Sequence, residues 1–346
     1  MKAILIKDGK GPVENLYLGS QPIPKLSSPE DVLVKIHSFG LNRMDISQRE
    51  GGYPLPPEAP AILGVEFSGT VLEYKGSVCD FQSGQEVFGL TLGGCYAEVA
   101  CVRSSLILHK PPQLTHQQAA AIPENWLTAF QALRVIAKLQ HGEHVLIHAG
   151  ASGVGLAAIQ LARDFGAARV YVTVGSQAKV EFCRSIGADE AINYKSSSWA
   201  DELHRLTDGQ GVDVIMDFIG ATYWNGNLAS LKCDGRMVMQ GRMGGIAVAD
   251  ANIGPLLFKR LRVEGSTLRS RSVEYQGELV QSFLREGGLD KILEGTREND
   301  GRAGKDDSRN FHQLVIHKVY SWNDIKDAHR EMEANKNVGK IVVNVD

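Results

Sequence analysis

No apolar run in the 346 residues approaches the roughly 18 to 20 needed to cross a bilayer, so no membrane partner is expected. The stretch Met1 to Asp8 is interrupted at Lys7 and is too short for a secretory apolar region. Cysteine is scarce. Its five copies (Cys79, Cys95, Cys101, Cys183, Cys233) are odd in number and include no C-x-x-C pair, which reads as reduced thiols in a cytosolic protein. A basic excess is missing too: 37 Lys and Arg stand against 40 Asp and Glu, a net charge of -3. Proteins that grip nucleic acid through its phosphates carry the opposite balance, so nucleic acid is a poor first partner. There is no internal repeat. With 43% hydrophobic residues the chain is neither disordered nor collagen-like, and its length suits about two domains.

Glycine, by contrast, is abundant, with 37 copies. The first 110 residues carry short β-branched or alternating runs, at Lys2 to Lys7, Asp31 to His37, Gly69 to Tyr74 and Tyr96 to Val102. Clusters such as Ser20-Gln-Pro-Ile-Pro24 and Tyr53-Pro-Leu-Pro-Pro57 punctuate them, which predicts a small barrel or folded-over sheet. After Pro123 apolar strands alternate with helical periodicity. The strand candidates are His144 to Ala149, Arg169 to Val174, Val212 to Phe218 and Arg236 to Gly241. Val154, Ala157, Ala158, Leu161 and Phe165 share one helical face that stops at Gly166, and a second helix spans Gln177 to Ile186. This alternation predicts an α/β fold with a doubly wound parallel sheet. A charged amphipathic helix, Asp324 to Asn335, and a closing strand, Gly339 to Val345, end the chain; the polar segment from Glu294 to Gln313 reads as a mobile surface loop.

The most informative segment is His148-Ala-Gly-Ala-Ser-Gly-Val-Gly-Leu156, between a strand and a helix. Gly150 and Gly155 match the ends of a G-x-G-x-x-G turn, Ser152 takes the middle glycine position, and Gly153 and Val154 follow. Glycines there let the backbone approach a pyrophosphate while free N–H groups at the helix start face the anion. The next strand bears on which dinucleotide binds. NAD sites usually end it with an acid that accepts from the ribose 2′-hydroxyl. Here Val172-Thr-Val174 runs into Gly175-Ser-Gln-Ala-Lys179, with Ser176 to donate and Lys179 to supply a countercharge, so NADPH is expected.

These features resemble the medium-chain dehydrogenase/reductase superfamily over nearly the whole chain. Ile62-Leu-Gly-Val-Glu-Phe-Ser-Gly69 resembles its G-H-E segment, and Ser83-Gly-Gln-Glu-Val-Phe-Gly89 its G-D-x-V-x-G turn. Asn335-Lys-Asn-Val-Gly-Lys-Ile-Val-Val343 is similar to its closing strand. The resemblance implies a GroES-like β-rich catalytic domain (1–126 and 268–346) and a Rossmann NADPH-binding domain (127–267). Zinc-dependent members have Cys where this chain has Asn42 and His where it has Val65, and the four-cysteine structural run is missing, so no metal is expected. The zinc-independent NADPH:quinone oxidoreductase branch fits best. Asn42-Arg-Met-Asp-Ile-Ser-Gln-Arg-Glu-Gly-Gly-Tyr53, Pro123-Glu-Asn-Trp-Leu-Thr-Ala-Phe-Gln131, Asp217-Phe-Ile-Gly220, Gly241-Arg-Met-Gly-Gly245 and Leu268-Arg-Ser-Arg271 carry that resemblance. Two departures stand out: a long 294–313 connection, and Ser47 where some bacterial relatives have Tyr.

The resemblance places the nicotinamide near Asn42, Thr128 and Gly241-Arg-Met243, with Gly220, Leu268 and Asn337 as further cofactor contacts. Tyr194 matches a position at the adenosine 2′-phosphate. Hydride transfer asks the protein for orientation and water exclusion, and a donor for the oxyanion that develops on the acceptor. Tyr53 is the first candidate donor. Asn42 is expected to donate to substrate or ribose, Asp45 to orient its neighbours, and Trp126 to wall a flat quinone. Glu66 reads as a structural carboxylate, and Arg260, Arg262, Arg269 and Arg271 as solvated charge around the strand Val263 to Thr267. In this superfamily that strand pairs with its copy, implying a homodimer through 262–267. The expected reaction is NADPH-dependent reduction of small aromatic quinones by hydride or single-electron transfer. Its rivals are an NADPH-dependent C=C reductase of enones or 2-enoyl thioesters, and an RNA-binding or crystallin-like binding protein on the same fold.

Overall fold

The computed structural model describes residues 1–75, 80–299 and 312–345. The chain folds as two units, Met1–Leu127 with Leu268–Asp346, and Thr128–Thr267.

The second unit is built on six parallel strands. In spatial order they are Glu190–Asn193, Arg169–Val174, His144–Ile147, Val212–Asp217, Leu231–Met239 and Arg262–Gly265. A parallel strand can return to its neighbour only through a crossover, and helices such as Gly153–Asp164, Gln177–Ser185, Trp199–Leu206 and Trp224–Ser230 lie in these connections. Central strands therefore bury both faces: Val145, Leu146 and Ile147 have no exposure, nor do Val214, Ile215 and Met216. Chain order reverses between His144–Ile147 and Val212–Asp217. Open sheets of this kind bind ligands beyond the carboxyl ends of their strands at such a switch point. Helix Gly153–Asp164 buries Leu156, Ala157, Ala158, Ile159, Leu161 and Ala162, and stops at Gly166, whose φ of +79° suits a residue with no Cβ.

The first unit holds a seven-stranded sheet. Asp31–Leu41 lies at its centre, paired antiparallel with Glu66–Tyr74, Val99–Arg103 and Lys340–Asn344. Glu86–Leu90 and Ile107–His109 extend it on one side, and Ile316–Ser321 runs parallel to Lys340–Asn344 on the other. Asp31–Leu41 runs four residues past the run seen in the sequence, with Phe39 and Leu41 both buried.

One expectation needs correcting. Residues 294–299 complete the helix Gly288–Asn299 and do not form a loop. Ile292, Gly295 and Thr296 face inward at helical spacing, and the Thr296 hydroxyl donates to the Ile292 carbonyl at 2.9 Å. Of the rest of the expected loop, residues 300–311 lie outside the described residues, and His312 is buried. Among the described residues no helix is long and apolar enough to cross a membrane.

Candidate active site

In the second unit the turn after His144–Ile147 is held from behind. His148 is fully buried; its Nδ1 meets the Thr173 hydroxyl at 2.9 Å and its Nε2 the Asn227 Oδ1 at 2.7 Å. Asn227 Oδ1 can only accept, so Nε2 carries the ring proton and Thr173 donates to Nδ1. Burial pushes this imidazole down to about 4, leaving it neutral. Gly150 N–H donates to the Thr173 carbonyl at 3.0 Å. Ser152 caps the following helix, its hydroxyl accepting from Gly155 N–H at 3.0 Å, which leaves the N–H groups of Gly153 and Val154 at the open helix start.

The two outer glycines are required by space. A Cβ on Gly150 would lie 2.6 Å from the Val172 Cβ, and one on Gly155 only 2.5 Å from the Ala149 carbonyl oxygen. Across the switch point, Asp217 accepts from the N–H groups of Ile219 (2.8 Å) and Gly220 (3.1 Å) and shapes the loop that ends at Gly220 (φ +81°). Burial pushes Asp217 up to about 6. Gly241 packs where a Cβ would lie 2.6 Å from the Phe218 carbonyl, and the half-exposed Met243 donates its N–H to the same carbonyl at 3.2 Å. The Thr128 carbonyl accepts from Gln240 Nε2 at 3.3 Å.

At the end of Arg169–Val174 the chain gathers cations. Ser176 caps helix Gln177–Ser185 by accepting from Lys179 N–H at 3.3 Å. The Lys179 ammonium is pushed below its usual value by partial burial, with the Lys195 charge adding to the effect. The hydroxyl of the half-exposed Tyr194 would lie 2.6 Å from a Cβ on Gly175, and the Lys195 Cε 3.5 Å. Ser176, Tyr194 and Lys195 thus border one bare stretch of backbone, and Lys179 follows in the first turn of the helix that Ser176 caps.

The first unit carries a buried polar cluster. Asn42 opens the helix Arg43–Arg49 and donates its N–H to Asp45 Oδ2 at 2.8 Å. Its amide is committed to the protein: Nδ2 donates to Glu66 Oε1 at 2.8 Å, and Oδ1 accepts from Lys340 Nζ at 2.6 Å. Glu66 has no exposure and forms an ion pair with Lys340, and its other oxygen accepts from Glu124 N–H at 2.8 Å. Asp45 Oδ2 also accepts from the Tyr96 hydroxyl at 3.2 Å, and burial pushes this carboxyl up to about 6. Burial first, and then repulsion from Glu66, pushes Glu124 up to about 7.

Two expectations change here. Arg269 is no solvated charge: it is 2% exposed, donates to the Leu92 carbonyl and to Gln48 Oε1 (2.7 Å each), and lies 5.5 Å from the centre of the Tyr53 ring. Trp126, expected as a wall for a flat acceptor, is 2% exposed and packs its ring 4.6 Å from that of His312, so it is core. Tyr53 is partly exposed, and burial together with the Glu124 charge raises its phenol. Leu268 is buried, and Asn337 Nδ2 turns back to the Gly339 carbonyl at 2.9 Å.

Comparison with known proteins gives this architecture a family. Residues 28–112 match the alcohol dehydrogenase GroES-like domain, and residues 153–284 match zinc-binding dehydrogenase. The quinone oxidoreductase of Rattus norvegicus is 31% identical over 85% of this chain and 89% of its own. The chain belongs to the medium-chain dehydrogenase/reductase superfamily. Quinone oxidoreductase-like protein 2 of Bos taurus is 30% identical over 93% of this chain and 87% of its own. Escherichia coli quinone oxidoreductase, solved with NADPH, superposes with a TM-score of 0.84 at 26% identity over the full length of both chains.

This medium-chain dehydrogenase/reductase is therefore an oxidoreductase with a GroES-like unit and a Rossmann-type unit, and it takes a nicotinamide cofactor. The turn fits that group: crowded glycines leave room for backbone alone, and open N–H groups stand at the start of a twelve-residue helix. Sequence reasoning gave no role to Lys195, Glu124 or Lys340 and misjudged Arg269. Lys195 could have been found as a second lysine beside Tyr194 at the end of the next strand. The signal for Lys340 is a lysine opening an otherwise apolar strand.

The raised Glu124 makes a pH prediction. The unfolded chain releases this proton near 4.5 and the folded chain near 7, so the folded state holds more protons between those values and stability falls as pH rises through them. His148 and His329, lowered to about 4 and about 3 by burial, act in the opposite direction. Comparison with Glu124→Gln cancels them. Wild-type stability relative to this variant should drop on the order of 2 kcal/mol between pH 4.5 and 7. Urea unfolding at both pH values reads it, and a constant difference would refute it.

Proposed function

We infer that this oxidoreductase oxidises NADPH and reduces small aromatic quinones, without a metal. The observation that carries the cofactor choice is the pair of ammonium groups, Lys179 and Lys195, with Ser176 and Tyr194, around a strand end that lacks an acid. A 2′-phosphate there meets cations and hydroxyl donors; an NAD site would present a carboxylate. Gly150, Ser152, Gly153 and Val154 would hold the pyrophosphate. Thr128, Gly220, Gly241 and Met243 would border the nicotinamide end. When bound, the dinucleotide supplies the reducing hydrogen from its own ring.

Tyr53 supports the acceptor half of the reading. Its raised phenol keeps its proton at neutral pH, so it serves the acceptor oxygen as a hydrogen-bond donor. Asp45 fixes the turn at Asn42 through the bond to its N–H. The metal-free reading is supported by Asn42 and Val65 and by the Lys340 ammonium already seated on Glu66. Reduced cysteines favour the cytosol; among the described residues Cys95, Cys101, Cys183 and Cys233 are free thiols.

The test is steady-state oxidation of NADPH and NADH with 9,10-phenanthrenequinone beside a 2-enoyl thioester. NADPH with the quinone is expected to win. A hundredfold preference for the thioester, about 2.8 kcal/mol in transition-state binding, would move the assignment to C=C reduction. A homodimer belongs to the same proposal. Strand Arg262–Gly265 ends the six-stranded sheet, and Ile253, Leu257 and Phe258 just before it are 68%, 74% and 79% exposed. Light scattering that finds only monomer at micromolar concentration would remove it.

A further inference from the structure

Arg269 is a buried cation with an unusual set of partners. Its Nε and Nη1 donate to two neutral oxygens, the Leu92 carbonyl and Gln48 Oε1, and its Nη2, also buried, has no protein partner. A guanidinium taken out of water normally gains a carboxylate in direct contact, because losing its hydration costs several kcal/mol. Here the neighbouring acids act only from a distance. The Arg269 charge favours the ionised forms of Asp45, Glu124 and Cys95 through space, and Asp45 Oδ1 is itself buried without a protein partner. The sequence also keeps space beside the unused nitrogen. Gly93 is the neighbour, and a Cβ there would come within 3.0 Å of Nη2 and 3.2 Å of the Ile62 carbonyl. The guanidinium carbon also lies 5.5 Å from the centre of the Tyr53 ring, a flat apolar face at the end of the Gly51-Gly52 segment.

We propose that Arg269, Gly93 and Tyr53 form the oxygen-binding subsite for the electron acceptor, with Nη2 joining the Tyr53 hydroxyl as a donor to its carbonyl oxygen and the edge of the Tyr53 ring bordering its planar body. The proposal deepens the quinone reading above and rests on it. It names the class of acceptor: a flat aromatic molecule that presents an oxygen at its edge, either a carbonyl that becomes anionic on reduction or a ready-made carboxylate. As NADPH gives up two electrons and one hydrogen to the acceptor, the carbonyl oxygen takes on the charge and Arg269 holds it. Water then supplies the proton that completes the hydroxyl, and NADP⁺ leaves. Guanidinium groups stay charged throughout the working pH range, so Arg269 stabilises the oxyanion and does not protonate it.

The tests separate this subsite from the reductase reading. Calorimetric titration of the cofactor-free protein with 2-naphthoate, a flat carboxylate that cannot be reduced, reads the subsite without turnover. Wild type is expected to bind it, and Arg269→Met to bind at least tenfold more weakly. Gly93→Ala, whose Cβ would crowd Nη2 while keeping the charge, is expected to weaken it as well. With phenanthrenequinone as acceptor, Arg269→Met should lower kcat by about 10²- to 10³-fold, the scale for losing one oxyanion donor, with NADPH affinity by fluorescence unchanged. Arg269→Lys, which restores the charge but not the fork, should recover part of that loss and replaces the methionine variant should the latter fail to fold. Folded variants that keep naphthoate affinity and quinone kcat within twofold of wild type would overturn the subsite. A wild type inert toward quinones yet binding naphthoate through Arg269 would overturn the reductase reading and leave the subsite standing.

Discussion

Replacing Lys340 with Met should destabilise the chain by about 3–5 kcal/mol, more than any exposed ion pair in the molecule could cost. The reason lies in what remains. Glu66 has no exposure, and with the ammonium gone its carboxylate keeps the Asn42 amide and the Glu124 N–H but no cation. Coulomb attraction between such groups is strong where water is excluded, and most of the loss comes from a charge stranded out of water. The exposed pair Arg330 and Glu14, 3.2 Å apart, offers the contrast: double-mutant cycles on pairs of that kind return 0 to 1 kcal/mol. Denaturant unfolding of Lys340→Met against Lys340→Met/Glu66→Gln separates charge from packing. The double variant should regain most of the loss, because a neutral amide can stay buried on the same two donors. A single-variant cost below 1 kcal/mol would mean that Glu66 takes up a proton or reaches water.

The Lys340–Glu66 pair also marks where sequence reading stops. Periodicity is a local signal, and it gave both the β character of the first 110 residues and the strand–helix alternation that follows. The dinucleotide turn was legible for the same reason, since Gly150, Ser152 and Gly155 sit within six residues. Arg269 and Lys340 look like any surface cation in one dimension. They become buried only when Arg269 is folded against Gln48, 221 positions away, and Lys340 against Asn42, 298 positions away. Trp126 failed in the opposite direction: an aromatic near a site signal was taken for a wall, and packing against His312 makes it core. In segment 294–299 polar composition outweighed a weak helical face of Ile292, Gly295 and Thr296. Local pattern thus located the glycine turn, while the buried charges of the first unit are set by contacts of long sequence separation.

The second large effect concerns the cations at Gly175. On the NADPH reading, Lys179→Ala should weaken NADPH by about 1–3 kcal/mol, the scale of a lost charged hydrogen bond, and leave NADH nearly untouched. Lys195→Ala should do the same, because its stem lies beside the Gly175 position that Tyr194 also approaches. The two ammonium groups already oppose each other, Lys195 helping to push Lys179 below its usual value. A bound phosphate with nearly two negative charges relieves that repulsion. The double variant should therefore lose about 3 kcal/mol or more, roughly a hundredfold in NADPH affinity, by fluorescence titration. The residual preference then reports Ser176 and Tyr194, which donate without charge. Salt gives an independent check: raising ionic strength should erode NADPH binding to wild type more than to the double variant, since screened charge is what was removed. Equal losses for NADPH and NADH would show that these lysines shape the strand end without meeting a 2′-phosphate, and the cofactor assignment would pass to NADH.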